Sequence, residues 1–248
     1  MNNTNTKTAL ITGASRGIGE AIARRLAKAG YDLVLTCSSS MDELEKIADD
    51  IRGRYGVNCI CRCADAGKSF DTDLLFKDVF GDGKRSLDLL VNNAGISYVG
   101  LLHEMSDEDW NEVMSTNLGS VFYYSRCAIP LMLKNGGGRI INISSVWGNA
   151  GASMEAAYSA SKGGVNSLTK ALAKELAPSH IAVNAVSCGM IDTKMNSCFS
   201  KEEKEAVIEE IPADRMGTAE EVAEIVLKIS ESPDYMTGQI ISVDGGWI

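Results

Sequence analysis

Short apolar runs alternate with longer amphipathic stretches along the whole of this 248-residue chain, and that alternation leaves few folds open. "TALIT", "YDLVLT", "VNCICRC", "LDLLVNN", "GRIINIS", "IAVNAVS" and "QIISVDGG" read as seven strands. Between them the pattern predicts helices over Ile18–Ala29, Asp42–Arg54, Ser69–Phe80, Asp107–Leu133, Glu155–Ala177 and Ala219–Ser230. Strands that are apolar on both faces need cover on both sides, and strands separated by helices run parallel. The expected fold class is therefore α/β and doubly wound: a seven-stranded parallel sheet with helices on both faces, built as one domain over residues 1–248.

The turn after the first strand carries the first functional signal. "ALITGASRGIGEAIARRLAKAG" places Gly13, Gly17 and Gly19 between strand and helix. Glycines let a backbone turn tightly and approach a ligand, while free amides at a helix start favour a phosphate. The spacing is G-x-x-x-G-x-G, and a purely structural turn can use the same glycines. The end of the second strand is more discriminating. A dinucleotide without a 2′-phosphate is usually held there by a carboxylate. This chain has "VLTCSSS" instead, where Ser38 and Ser39 can donate to a 2′-phosphate and Arg16 can pair with it, which favours NADP(H) over NAD(H).

A second signal is "YSASKGG". On a helix, Tyr158 and Lys162 lie one turn apart on one face. Either the phenol packs while the amine is solvated, or the cation lowers the phenol's pKa so that it exchanges a proton near neutrality. The pair by itself leaves both open. The long irregular region Gly189–Gly217, following the sixth strand, reads as a lid over a ligand bound beyond the strand ends.

Charge and cysteine usage narrow the partners. The net charge is −9 with no basic stripe, which argues against nucleic acid. No apolar run approaches a membrane span and "MNNTNTK" lacks a secretory core, so no membrane association and a cytoplasmic location are expected. Cys59, Cys61 and Cys63 alternate on one strand face, but their spacing is not that of a zinc ribbon, and His103 and His180 are the only imidazoles. Reduced structural thiols and no metal are expected.

Together these residues resemble the short-chain dehydrogenase/reductase family. The resemblance runs from "TGASRGIG" through "NNAG" at Asn92–Gly95, "SS" at Ser144–Ser145 and "YSASK" at Tyr158–Lys162 to "VDGG" at Val243–Gly246. It implies a Rossmann fold and an NADP-dependent oxidoreductase acting on a carbonyl or alcohol. Tyr158 would be the proton donor, Lys162 would hold the nicotinamide ribose and tune the phenol, and Ser145 would hydrogen-bond the carbonyl oxygen. Asn117, in "STNLGSVF", would support a water relay to the lysine. The cofactor would lie against Gly13, Ser15, Arg16, Gly17, Ile18, Gly19, Ser38, Asp65, Asn93, Ala94, Gly95, Tyr158, Lys162, Ile191 and Thr193. One departure stands out: the family usually has Pro-Gly after the sixth strand, where "SCGMIDT" puts Cys188 in place of proline.

Within the family, "LVNNAGI", "WNEVMSTNLGSVF" and "VNAVS" are similar to 3-oxoacyl-[acyl-carrier-protein] reductases of fatty acid biosynthesis. The resemblance implies a small-molecule or carrier-bound carbonyl substrate, with acyl carrier protein as partner and Lys134 and Arg139 as candidate docking residues. "SSVWGNAGASMEAAYSASKGG" resembles bacterial reductases acting on a 5-aminopentanone group attached to elongation factor P, with Trp147 lining the pocket. A third reading, a non-catalytic NADP(H)-binding sensor, is disfavoured because both Tyr158 and Lys162 are present. Apolar helix faces and the family likeness predict a homotetramer.

Overall fold

The computed structural model describes residues 6–195 and 200–248. Its strands are β1 (Thr8–Ile11), β2 (Asp32–Cys37), β3 (Cys59–Cys63), β4 (Leu89–Asn92), β5 (Gly138–Ser145), β6 (Ile181–Cys188) and β7 (Ile240–Val243). They form one sheet in the order β3-β2-β1-β4-β5-β6-β7, with every pairing parallel. The chain starts in the middle, winds outward to β3, then crosses back to β4 and winds the other way. The order reverses between β1 and β4, and the crevice beyond their carboxyl ends is where such sheets bind ligands.

Among the described residues the helices are α1 (Gly17–Lys28), α2 (Met41–Tyr55), α3 (Ser69–Phe80), α4 (Asp107–Met114), α5 (Ser120–Lys134), α6 (Trp147–Ala150), α7 (Ala156–Leu176), α8 (Lys201–Glu210) and α9 (Ala219–Ser230). Side chains alternate along a strand, so each strand feeds two cores. Ala9, Ile11, Leu33 and Leu35 pack with α1, α2 and α9 on one face. Leu10 and Val34 pack with α3, α5 and the last turns of α7 on the other. This is the doubly wound, seven-stranded sheet that the alternation predicts.

The helix predicted over Asp107–Leu133 is α4 and α5 joined by a π-helical turn at Ser115–Gly119. A π turn inserts an extra residue into the helical register, and such turns concentrate at functional sites. Here it buries Asn117. In the expected lid, Ile191 bridges to Gly217, and α8 is closed at its start by a reciprocal Ser200–Glu203 capping box. Residues 196–199 of that lid lie outside the described residues. On β3, Cys59 and Cys61 are buried and Cys63 is exposed. Among the described residues no group of three His, Cys, Asp or Glu side chains is placed to hold a metal ion, and no helix is long and apolar enough to cross a membrane.

Candidate active site

β5 ends in two serines with different fates. Ser144 Oγ donates to Asn166 Oδ1 at 2.6 Å and is consumed in tying β5 to α7. Ser145 accepts the Trp147 backbone N–H at 3.2 Å and keeps its hydroxyl proton for the cavity beyond the sheet. Alternation along the strand separates the two roles.

α7 runs beside that strand end and presents Tyr158 and Lys162 to the same cavity. The Lys162 ammonium donates to the Ile143 carbonyl at 2.8 Å and lies 5.7 Å from the centroid of the Tyr158 ring. Burial depresses the Lys162 pKa to about 8, with Cys188 acting in the opposite direction. Burial likewise raises the Tyr158 phenol above its ordinary value, and the Ser145 hydroxyl pulls it part of the way back. The resemblance implies that the lysine tunes the phenol; here burial acts on the phenol first. In the protein without cofactor, desolvation is the largest influence and Tyr158 is held as the neutral acid. Its side chain is half-buried and still reaches the cavity.

Asn117 is not on the cavity wall. Its Oδ1 accepts the Ile96 N–H at 2.8 Å, and its Nδ2 donates to the Ile96 carbonyl at 2.9 Å and to Ser161 Oγ at 3.0 Å. The side chain is a strap holding the π turn, α7 and the segment after β4 together. A Cβ on Gly95 would stand 3.3 Å from Asn117 Oδ1 and 3.6 Å from Lys162 Nζ, so these groups meet around one glycine.

The glycine loop borders the other half of the cavity. Gly13 and Gly17 have φ of +64° and +56°, and a Cβ on Gly19 would lie 2.2 Å from the Gly13 carbonyl oxygen. No side chain caps the start of α1, whose N-cap residue is Arg16. The first amides of the helix therefore face the cavity without a side-chain acceptor, as a phosphate would require. Asn93 braces this loop: its Nδ2 donates to the Thr12 and Gly13 carbonyls at 2.9 and 3.0 Å. The side chain predicted to touch adenosine thus acts first on the loop.

Ser15, Ile18, Ala94, Ile191 and Thr193 also line the cavity, and Thr193 sits over the loop with its methyl 3.4 Å from where a Gly17 Cβ would be. At the far end lie Arg16, which is exposed, Ser38 and Asp65, while Ser39 is not on the wall. Asp65 accepts the Gly67 N–H at 3.0 Å and pairs with Lys68 at 3.1 Å. Cys188, the residue in proline's place, is buried; burial pushes its thiol up to about 12, against the pull of the Lys162 charge. It is a neutral group on the cavity wall, close enough to Lys162 to feel its charge. Arg139, by contrast, starts β5 at the opposite end of the sheet from Ser145, and its guanidinium binds the Ser230 carbonyl and Asp234 at 3.0 and 2.8 Å. That placement removes it as a docking residue near the site.

Among the wall residues that the sequence reading did not name, two stand at the substrate end of the cavity. Glu155 stands at the N-cap of α7, and Trp247 packs edge-on against Trp147 with ring centroids 4.8 Å apart. The position of Glu155, three residues before Tyr158, was the available signal: that interval puts both on one helical face. Nothing local marked Trp247, which arrives from the far end of the chain. The whole cavity measures about 840 Å³.

Comparison with known proteins agrees with this geometry. The family model described as short chain dehydrogenase matches residues 7–204. The uncharacterized oxidoreductase YmfI of Bacillus subtilis is 39% identical over 242 residues, 97% of this chain and 98% of that protein. The 3-oxoacyl-[acyl-carrier-protein] reductase FabG of Aquifex aeolicus is 41% identical over 243 residues, 97% of this chain and 96% of its own length. The crystal structure of YwfH, an NADPH dependent reductase involved in bacilysin biosynthesis, superposes with a TM-score of 0.92 at 28% identity and covers 98% of both chains.

Proposed function

The chain belongs to the short-chain dehydrogenase family, and from that premise we propose that it reduces a ketone to a secondary alcohol with NADPH as the hydride donor. The observation that carries this reading is convergence: Ser145, Tyr158 and Lys162 share one cavity with a glycine loop and an uncapped helix start. The cavity fits a dinucleotide. Gly13, Gly17, Ile18 and Gly19 would take the pyrophosphate, Arg16 and Ser38 the 2′-phosphate, and Tyr158 and Lys162 the nicotinamide ribose. Bound reduced nicotinamide supplies the hydride.

The protein's own share is proton supply and orientation. Ser145 and Tyr158 donate hydrogen bonds to the carbonyl oxygen, where negative charge grows as the carbon is reduced. Tyr158 arrives at the reaction neutral and so carries the proton it must give. Lys162, protonated below about pH 8, stabilises the phenolate left behind. Asn117 and Asn93 are positioning residues, holding α7 and the glycine loop.

NADPH is favoured because the end of β2 offers a serine and no acid. Ser38→Asp is expected to lower the preference for NADPH over NADH by on the order of tenfold or more, since a carboxylate there repels the 2′-phosphate. Steady-state kinetics with both cofactors checks this.

The 41% identity to a 3-oxoacyl-[acyl-carrier-protein] reductase supports a 3-oxoacyl thioester as substrate. The second reading, the aminopentanone group on elongation factor P, is favoured by Glu155 on the cavity wall. NADPH oxidation followed at its absorbance band, with acetoacetyl thioester and with modified elongation factor P, tests the two. Cofactor binding without reduction of either would leave the sensor. A homotetramer is supported by the apolar groove formed by Met114, Leu118, Phe122, Tyr123, Leu168 and Ala171 on α4, the π turn, α5 and α7. Sedimentation of the intact protein is expected to give about four times the 26.5 kDa chain mass.

A further inference from the structure

The alternating cysteines of β3 take no part in the reduction, and a fourth cysteine lies beside them. Cys59, Cys61 and Cys63 share one face of this edge strand, and the parallel register sets Cys63 opposite Cys37, the last residue of β2. Cys59 and Cys61 stand opposite Leu33 and Leu35 instead, and both are buried. Neighbouring strands lie about 4.8 Å apart, inside the roughly 4.4–6.8 Å between Cα atoms that a disulfide spans. The Cys37 and Cys63 thiols are already in hydrogen-bond contact. Cys63 is exposed and Cys37 is buried, so one thiol can meet a reagent while the other waits behind it.

Both sulfurs also hold the serine turn that follows β2. Cys63 Sγ donates to the Ser38 carbonyl at 3.2 Å. Burial and the neighbouring Cys63 raise the Cys37 thiol, and hydrogen bonds from the Ser40 and Ser39 backbone draw it part of the way back. Cys37 and Ser38 line the cavity at its far end. We propose that Cys63 and Cys37 form an oxidation site for small-molecule disulfides, and that closing it weakens NADPH binding by resetting the Ser38–Ser40 turn. The Cys63 thiolate attacks one sulfur of the small disulfide, whose S–S bond breaks; one half leaves as a thiol with the proton that Cys63 gave up. Cys37 then loses its proton and attacks Cys63 Sγ, and the second half leaves as a second thiol. The cysteine pair gives up two electrons and two protons, and the small disulfide takes up both. Once joined, Cys63 has no S–H to donate to the Ser38 carbonyl, and Cys37 Sγ cannot keep its place against the turn amides.

The full-length protein is incubated with oxidised glutathione and its cysteine peptides are mapped by mass spectrometry. A Cys37–Cys63 linked peptide is expected, with the intact protein lighter by two hydrogen atoms and restored by dithiothreitol. Fluorescence titration should show NADPH affinity lower by about threefold to tenfold in the oxidised form, the range of a lost hydrogen bond, while NADH affinity changes by less than about twofold. Cys63→Ser keeps a donor for the Ser38 carbonyl, so its NADPH affinity should match the wild type within about twofold and ignore the oxidant. Cys127→Ser, which removes a thiol on α5, should leave the response intact. Glutathione retained on Cys63, a link from Cys63 to any other cysteine, or a linked protein that keeps the NADPH preference of the reduced one overturns the proposal. The effect on NADPH rests on the cofactor reading above, and the two fail differently. A linked peptide in a protein whose reduced form binds NADPH no better than NADH leaves the thiol site standing and removes the cofactor reading.

Discussion

Tyr158→Phe is expected to slow ketone reduction by roughly 10²–10⁴-fold, the range that a positioned general acid contributes. The ring that fills the site stays and only one contact to the nicotinamide ribose is lost, so cofactor affinity should fall far less than the rate and the fold should be unaffected. The hydroxyl is the only group removed, and its neighbour on the wall, Ser145, can hydrogen-bond a carbonyl oxygen but is an aliphatic alcohol, a far weaker acid than a phenol. Single-turnover mixing of NADPH-loaded protein with ketone, followed at the NADPH absorbance, separates the chemical step from binding. A loss in kcat that far exceeds the loss of NADPH affinity is the expected signature. A rate within about tenfold of wild type would move the proton donor elsewhere.

The second large effect concerns the cofactor half of the site. A methyl group on Gly19 would stand 2.2 Å from the Gly13 carbonyl oxygen and 2.6 Å from Asn93 Nδ2. Neither neighbour can yield cheaply, because the first is backbone in a positive-φ turn and the second is the brace of that turn. Gly19→Ala should therefore open the loop, weaken NADPH binding on the order of a hundredfold or more, and cost about 1–3 kcal/mol of stability, the usual range for overpacking. At about 2–4 °C per kcal/mol for a chain of this size, the cofactor-free protein should melt several degrees lower. Gly53, inside α2, is the matched control: nothing lies within 4 Å of its Cβ position, so Gly53→Ala should stabilise by about 0.5–1 kcal/mol and leave NADPH affinity unchanged. Calorimetry and cofactor titration on the two variants check both halves. Equal affinities would show that close approach at Gly19 does not shape the phosphate site.

What the sequence made legible follows the reach of local pattern. Side-chain alternation along "TALI" and "DLVLTC" assigns Ala9, Ile11, Leu33 and Leu35 to one face and Leu10 and Val34 to the other, and the fold obeys it. Tyr158 and Lys162, four apart on one helix, were bound to share a face, and the glycine loop had to follow the first strand. Groups whose partners lie far along the chain were not legible. Asn93, read as a ligand contact, lies on the cavity wall, yet its Nδ2 also braces Thr12 and Gly13, eighty residues or more away in sequence. Arg139 looked available for docking until its partners, Ser230 and Asp234, showed it bound at the wrong end of the sheet. The π turn left no mark in the pattern, since α4 and α5 keep one amphipathic run through it. Nor does spacing alone reveal how deeply a pair is buried, and burial is what makes the phenol a weaker acid and the lysine a weaker base than the sequence reading allowed.

Those opposed shifts lead to the decisive experiment, the pH profile of kcat/KM for ketone reduction, which reports the free enzyme. Lys162 has its pKa lowered to about 8, so it is protonated below that pH and loses its charge above it. Tyr158 is raised above its ordinary value and stays protonated throughout the same window. The wild-type rate should accordingly be level below about pH 7 and fall tenfold per unit above about pH 8. Lys162→Met should be slower by on the order of a hundredfold and level across that range. If Lys162→Met retains the wild-type limb near pH 8, the titrating group is not the lysine, and the account of its charge supporting proton transfer from Tyr158 is wrong.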